Sequence, residues 1–259
     1  MKSTSEDEEE YRALQLIGKS WRILKSNPVL FIPQIILIGI EYTGGLIFSS
    51  SLVPLIARQA SEEVLTSWLL GGEIGWVIVS VVVTAWIWGV YPILVKDVLE
   101  GEPPKITEAF KEAWHRILSL LGAILLIGLI CVGCLFIPIV GIVLLFFCIV
   151  WFYHYAPAVM LDNNRAVESL DTSKDFSLGK KWSILGIIAF TQFLPVLIIL
   201  VLLLPPLILA PESFASDIIL YLGGIVGFAV GILFTTLGAI IPAYGYLKHK
   251  HTPVTSSHN

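Results

Sequence analysis

The sequence predicts an all-α integral membrane protein whose six transmembrane helices form three hairpins. The chain is 56% hydrophobic and only 14% charged, with a mean hydropathy of +0.85, whereas soluble domains average about 25% charged residues. Residues 117–161 contain no Asp, Glu, Lys or Arg. As a helix this stretch would reach roughly 67 Å, about twice the hydrocarbon core of a bilayer. It is therefore expected to cross the membrane, turn near Gly133, Pro138 and Gly141, and return.

The N-terminal segment, residues 1–28, is predicted to be a cytoplasmic amphipathic region. Apolar residues recur at spacings of three and four on one helical face: Tyr11, Leu14, Ile17, Trp21 and Leu24. Basic residues occupy the other face: Arg12, Lys19, Arg22 and Lys25. A basic, Trp-bearing helix beside a membrane span is typical of the interface plane. The first ten residues are acidic and lack the basic start of a signal peptide, so no cleavage is expected.

Six spans follow from the length and hydropathy of the remaining segments. They are predicted at about 29–55, 74–95, 117–137, 139–161, 183–210 and 218–247. The connection at residues 58–72 is short and polar. A second amphipathic helix is expected over Ile106–Trp114, and the polar segment 162–182 is expected to be partly helical. Residues 248–259 form a polar cytoplasmic tail.

The basic residues predict the orientation of these spans. Of the 16 Lys and Arg residues, all but Arg58 fall before the first span, between the second and third, between the fourth and fifth, or after the sixth. Basic residues accumulate on the cytoplasmic side of membrane proteins. The sequence therefore predicts a multi-pass protein of the cell membrane with both termini in the cytoplasm.

Short similar patterns suggest an internal threefold repeat. An apolar residue, two polar or small ones and a small one precede each odd-numbered span, in Ile17-Gly-Lys-Ser20-Trp21, Phe110-Lys-Glu-Ala113-Trp114 and Leu170-Asp-Thr-Ser173-Lys174. The even-numbered spans also end alike, in Tyr91-Pro92, Tyr155-Ala-Pro157 and Pro242-Ala-Tyr244. We interpret these as three parallel units, each an interfacial helix plus a hairpin. The alternative is that any interfacial helix has this pattern.

The repeated pattern of apolar-x-x-small-Trp before a span resembles the membrane domain fused to some prokaryotic glycerophosphodiester phosphodiesterases. It also resembles related stand-alone membrane families of unknown function. The fused enzymes carry a soluble barrel that begins with His-Arg and holds paired carboxylates. Here His115-Arg116 lies in an amphipathic helix, and no barrel is present in the sequence. The resemblance implies membrane architecture without hydrolase activity.

Glu41 is the strongest candidate for a functional side chain, because it falls inside the first predicted span. A carboxylate within a bilayer is costly and often marks an ion, proton or substrate pathway. The alternative is a protonated, structural Glu that is hydrogen-bonded to a neighbouring helix. Gln34 and Gln192, near Pro33 and Pro195, either line an inner cavity with Glu41 or form interhelical hydrogen bonds.

Glycines at spacings of four predict close helix packing on the sixth span. Gly223, Gly227 and Gly231 form two overlapping GxxxG patterns, which favour packing within the chain over dimerisation.

Other chemistry is not indicated. Cys131, Cys134 and Cys148 lie in the charge-free stretch and are expected to be packing residues, since no further ligands stand beside them. His154 is expected in an aromatic cluster. No nucleophile–base pair, metal motif or nucleotide loop is found, so we expect no enzyme activity, cofactor, metal or nucleic-acid binding.

Two functions stay open at this point, and a membrane-embedded enzyme is a third and less favoured one, because the sequence shows no nucleophile–base pair or metal cluster. The first is a non-catalytic module that handles lipids or assists another membrane protein, with its cytoplasmic Lys and Arg residues bound to anionic headgroups. The second is a small transporter or channel that uses Glu41.

Overall fold

The chain folds entirely into helices over the residues that the computed structural model describes, which are 12–48, 62–137, 140–209 and 214–250. The helices are α1 (Ala13–Ser26), α2 (Ile32–Phe48), α3 (Glu62–Leu99), α4 (Ile106–His115), α5 (Ile117–Leu135), α6 (Val140–Trp151), α7 (Tyr155–Asp162), α8 (Ala166–Ser177), α9 (Lys181–Ile188), α10 (Leu194–Leu209) and α11 (Phe214–His249). A 3-10 turn, Pro28–Phe31, precedes α2, and a π-helical turn, Ala189–Phe193, joins α9 to α10. The predicted all-α fold class is confirmed.

Six helical segments are long and apolar enough to cross a membrane, as predicted. They are Pro28–Gly45, Ile74–Leu99, Ile117–Leu135, Val140–Asp162, Lys181–Leu202 and Tyr221–His249. Helix α3 begins at Glu62, inside the segment predicted as a polar connection. Gly133 and Gly141, predicted as turn residues, lie within α5 and α6. Residues 49–55 of the first predicted span, Pro138 and most of the tail lie outside the described residues.

The spans pack into one bundle whose core lies toward one end. Consecutive spans contact each other, with α2 on α3, α5 on α6 and α10 on α11, and α3, α7 and α11 also contact one another. The C-terminal parts of α3, α7 and α11 carry many of the buried side chains, among them Tyr91, Leu94, Val159 and Ile241. We call this the basic end of the bundle, because Lys96 and Lys250 lie there.

The outer faces of the spans are apolar as well. Leu118 is 81% exposed and Phe136 is 82% exposed. Exposed apolar side chains occur along all six spans, as with Ile35, Val77, Val196 and Phe228 among others. Such a surface is stable against lipid tails and unfavourable in water, so these faces are those of a multi-pass membrane protein.

Helices α1, α4 and α8 lie outside the six spans, and each buries a row of residues spaced by four. The rows are Leu16, Ser20 and Leu24 in α1, Ala109 and Ala113 in α4, and Ser169, Ser173 and Ser177 in α8. Helix α1 contacts α11, α4 contacts α3, and α8 contacts α7. Each row thus contains the small residue of the repeated sequence pattern, and each helix contacts an even-numbered span through small side chains that permit close approach.

The fourth span is interrupted, which the sequence did not predict. Helix α6 ends at Trp151 and α7 begins at Tyr155. The Ser173 hydroxyl of α8 donates a hydrogen bond to the Trp151 carbonyl at 2.8 Å and accepts one from the His154 amide at 3.0 Å. A break within apolar surroundings leaves backbone groups to be satisfied, and Ser173 satisfies one on each side.

The fifth span departs from α-helical geometry next to a proline. The π-helical turn Ala189–Phe193 lies directly before Pro195. Proline has no backbone N–H, so the preceding turn loses a hydrogen bond and can take up an extra residue. The Thr191 hydroxyl donates to the Ile187 carbonyl at 2.9 Å within this turn.

Candidate functional site

Glu41, the carboxylate singled out in the sequence, faces the second span. The Ser80 hydroxyl of α3 donates a hydrogen bond to Glu41 Oε1 at 2.5 Å. The Glu41 side chain is partly exposed. The chain thus supplies one hydrogen-bond donor to a carboxylate in a span, across the contact between α2 and α3.

The two glutamines have different surroundings. Gln34 is buried in the first turn of α2, with 5% of its surface exposed. Gln192 is exposed and lies in the π-helical turn, and its Nε2 is 3.8 Å from the position that a Cβ at Gly238 would occupy. No hydrogen bond joins Glu41, Gln34 and Gln192 to one another within the described part of the chain. The proposal that these three residues form one polar site therefore stays a prediction.

The glycines of the sixth span differ from one another in their packing. A Cβ at Gly227 would lie 3.3 Å from Ile199 of α10, whereas one at Gly231 would meet nothing within 4 Å. Gly223 is buried. A closer approach occurs at Gly89, where a Cβ would lie 2.6 Å from Leu120 and 3.4 Å from Ala113. Gly89 allows the small residue of the α4 pattern to reach the second span.

A cavity of about 400 Å³ opens at the basic end of the bundle. Its charged lining comes from α3, α4, the α4–α5 junction and the end of α11, namely Lys96, Asp97, Lys105, Glu108, Glu112, Arg116 and Lys250. Its apolar lining comes from the ends of the second, fourth and sixth spans, namely Ile93, Met160, Leu161 and Leu247. Tyr246 also lines it. The cavity therefore joins an apolar wall to a charged one, and its size is that of a small-ligand site.

The basic residues of this cavity are already paired with carboxylates. Lys105 Nζ lies 2.6 Å from Glu102 Oε2, Arg116 Nη2 lies 3.6 Å from Glu112 Oε1, and Lys250 pairs with Asp162. The Lys105–Glu102 pair is exposed, and its hydrogen bond lowers the pKa of Glu102 and raises the pKa of Lys105. With both signs present, the lining is close to balanced in charge rather than strongly basic.

One wall of the cavity is fixed by a contact between distant parts of the sequence. The Tyr246 hydroxyl donates to Asp162 Oδ2 at 2.5 Å, and Lys250 binds the other carboxylate oxygen. Arg116 Nη1 donates to the Val159 carbonyl at 2.9 Å. Sequence reasoning missed this set, because nothing in the local patterns around these residues marks them as partners.

His154 lies in an aromatic cluster beside this wall, as its neighbours in the sequence suggest. It is fully buried, and its ring centroid is 4.6 Å from that of Phe176 and 5.0 Å from that of Tyr153. Among the described residues, no group of three or more His, Cys, Asp or Glu side chains is placed to hold a metal ion. The three cysteines form no disulfide.

Six apolar spans and an amphipathic cavity at one end define a multi-pass α-helical membrane protein. Comparison with known protein families, curated proteins and solved structures finds no match for this chain. The resemblance to the phosphodiesterase membrane domain therefore stays a prediction, and function has to be argued from the geometry.

Proposed function

We propose that the protein is a non-catalytic membrane module that binds phospholipids, with the headgroup in the cavity at the basic end. A phospholipid has a charged headgroup next to apolar chains, and the cavity has a charged wall next to an apolar one. This amphipathic lining is the observation that supports the proposal. The paired charges favour a headgroup that carries both signs over a simple anion, because the carboxylates of this wall, Asp97 and Glu108 among them, repel a lone phosphate.

The proposed orientation places this cavity at the cytoplasmic surface of the cell membrane, with both termini in the cytoplasm. The concentration of basic residues at that end of the spans supports this assignment. Helices α1, α4 and α8 would then lie in the interface, where their exposed Trp21 and Trp114 suit the headgroup region. In this position they could also contact a membrane-protein partner.

We also propose that the chain contains three related units of one interfacial helix and one hairpin. Support comes from the matching buried rows of α1, α4 and α8 and from their contacts with α11, α3 and α7. In this arrangement each short helix packs on the hairpin that precedes it, and α1 closes the ring on the last hairpin. The cavity would then lie where the three units meet, as sites in pseudo-symmetric membrane bundles often do.

Filling the cavity tests the proposed function. Leu161 lines it and is only partly buried, so Leu161→Trp should occupy the space without breaking the core. Titration of the purified protein with lysophosphatidylethanolamine, followed by native mass spectrometry, should show one saturable site in the unaltered protein. We expect Leu161→Trp to weaken that binding by about tenfold or more, because a bulky side chain excludes the headgroup.

Leu99 supplies a matched control at the basic end of the bundle. Leu99 is 43% exposed and does not line the cavity, so Leu99→Trp should bind the lysophospholipid as the unaltered protein does. The proposal would be contradicted by the absence of saturable binding to the unaltered protein, or by equal binding to Leu161→Trp.

Transport is the second candidate function, and the carboxylate of Glu41 in a span is the observation that favours it. The lipid-binding proposal gives Glu41 a structural role, as the acceptor for Ser80. We therefore expect Glu41→Gln to unfold within about 1 kcal/mol of the unaltered protein, since an amide oxygen also accepts a hydrogen bond. Thermal unfolding in detergent would measure this.

Water access separates the two functions directly. A cysteine at position 41, in a background lacking Cys131, Cys134 and Cys148, would be treated with membrane-impermeant thiol reagents. We expect no labelling from either side in a folded protein. Labelling from one side would establish an aqueous path and favour transport.

A further inference from the structure

A second cavity lies on the lateral surface of the bundle, between the first half of the fourth span and the start of the fifth. It measures about 380 Å³. One side consists of Val143, Phe146, Phe147 and Val150 of α6, and the other of Lys181, Trp182 and Leu185 of α9. We call this the lateral groove. From Val143 to Val150 it follows α6 for roughly 10 Å, at about 1.5 Å per residue.

The lining of the lateral groove is apolar except at the Lys181 end. Val143 is 52% exposed, Phe146 is 52% exposed and Trp182 is 85% exposed, so the groove is open to its surroundings. In the outer surface of a membrane span those surroundings are lipid tails. An open apolar groove of this length fits part of one acyl chain.

Two lysines stand at one end of the groove without a carboxylate partner in the described part of the chain. Lys181 Nζ lies 5.4 Å from the ring centroid of Phe147 and 5.8 Å from that of Trp151. Lys174 Nζ, from α8, lies 5.8 Å from the same Trp151 ring. The aromatic faces attract both ammonium groups, and neither lysine forms an ion pair with an acidic side chain among the described residues.

Lys180, which directly precedes Lys181 in the chain, has a different environment. Lys180 lies between α8 and α9, and its Nζ is 3.6 Å from the ring centroid of Phe176 in α8. Partial burial lowers its pKa to about 8. Lys174 and Lys181, whose ammonium groups each lie 5.8 Å from the Trp151 ring centroid, are the cations through which the groove would meet a ligand.

We infer that the lateral groove binds one anionic phospholipid, with an acyl chain along α6 and the phosphate between Lys174 and Lys181. The unpaired positive charge of these lysines complements a headgroup with net negative charge. The lysines and arginine of the first cavity are paired with carboxylates and do not complement such a headgroup. The two sites should therefore select different headgroups. This inference rests on the proposed lipid-handling function, but it concerns a separate surface and can fail independently.

Charge removal tests the headgroup part. Phosphatidylglycerol would be titrated into the purified full-length protein and the bound lipid counted by native mass spectrometry, with phosphatidylcholine as the zwitterionic comparison. Basic residues near anionic lipid contribute about a fivefold gain in affinity each. We therefore expect Lys174→Gln with Lys181→Gln to weaken phosphatidylglycerol binding roughly 25-fold and to leave phosphatidylcholine binding unchanged.

Two exposed lysines elsewhere supply the matched control. Lys111→Gln with Lys248→Gln removes the same charge, and neither residue lines the groove. If this pair weakens phosphatidylglycerol binding as much as the first, only the net charge of the protein matters and the inferred site is wrong. Equal binding of phosphatidylcholine and phosphatidylglycerol by the unaltered protein would also overturn it, since the inferred site selects a headgroup with net negative charge.

Groove filling tests the acyl-chain part. Val143→Trp should occupy the groove and weaken phosphatidylglycerol binding by about tenfold. Val132→Trp is the control, because Val132 is also 52% exposed and lies on α5, away from the groove. Equal binding by the two variants would contradict the inference. Loss of phosphatidylglycerol binding with Val143→Trp, together with equal lysophosphatidylethanolamine binding by Leu161→Trp and the unaltered protein, would support this site while contradicting the proposed headgroup cavity.

Discussion

Replacing Ser173 with alanine is expected to lower the free energy of unfolding by about 2–3 kcal/mol. Ser173 lies in α8 and is fully buried, and its hydroxyl bonds to both sides of the break in the fourth span. The substitution removes the hydroxyl that accepts from the His154 amide, in a fully buried position. The Trp151 carbonyl keeps only the 3.4 Å contact with Ser177. Unfolding in mixed micelles, followed by tryptophan fluorescence, would measure the change.

Ser169 provides the matched control for this change. It is also fully buried in α8, but its hydroxyl donates to the Ala166 carbonyl of its own helix at 2.7 Å. Ser169→Ala makes the same chemical change without affecting the fourth span, so we expect it to cost less than about 1 kcal/mol. If the two variants unfold alike, Ser173 does not stabilise the break.

Replacing Gly141 with alanine is expected to destabilise the contact between the third and fourth spans by about 2–3 kcal/mol. A Cβ at Gly141 would lie 1.8 Å from the carbonyl oxygen of Cys134 and 2.9 Å from its carbon. These are backbone atoms, so no side-chain rotation relieves the overlap. Helices α5 and α6 would have to separate where they contact most closely. The same unfolding measurement applies.

Gly133, near the end of α5, separates packing from helix propensity. A Cβ there would meet no heavy atom within 4 Å. Alanine is favoured over glycine inside a helix by up to about 1 kcal/mol, so Gly133→Ala should be neutral or slightly stabilising. A loss of stability as large as that of Gly141→Ala would show that any added side chain in this region is harmful, and the specific contact would not be the cause.

Sequence patterns single out Ser173 and Gly141 but do not predict the structural role of either residue. Ser173 is the small residue of a repeated pattern that predicts an interfacial helix, but its hydrogen bonds depend on a helix break that no residue type signals. Gly141 was interpreted as part of a turn. In the structure it lies in α6, facing the Cys134 carbonyl. A glycine at a turn and a glycine at a helix contact look the same in one sequence.

The candidate site also combines features that the sequence predicts with features that only the structure reveals. Glu41 stood out because a carboxylate in an apolar stretch is costly, and its structural partner Ser80 has no such signal. The basic-end cavity could not be predicted, because its walls come from segments far apart in the chain, as with Asp162 and its partners Tyr246 and Lys250. The lateral groove depends on the contact between α6 and α9. From the sequence, its lysines predict only orientation and general binding to anionic headgroups, without a particular site.

The sequence by itself determined the fold class and the number of spans, because both follow from the length of apolar segments against a fixed bilayer thickness. It also determined where the basic residues lie along the chain, and hence the predicted orientation. Tertiary structure alone decided which charges are paired and which are left open. That difference arises from side chains brought together by helix packing, and it is why Lys250 closes a cavity wall while Lys181 faces a groove.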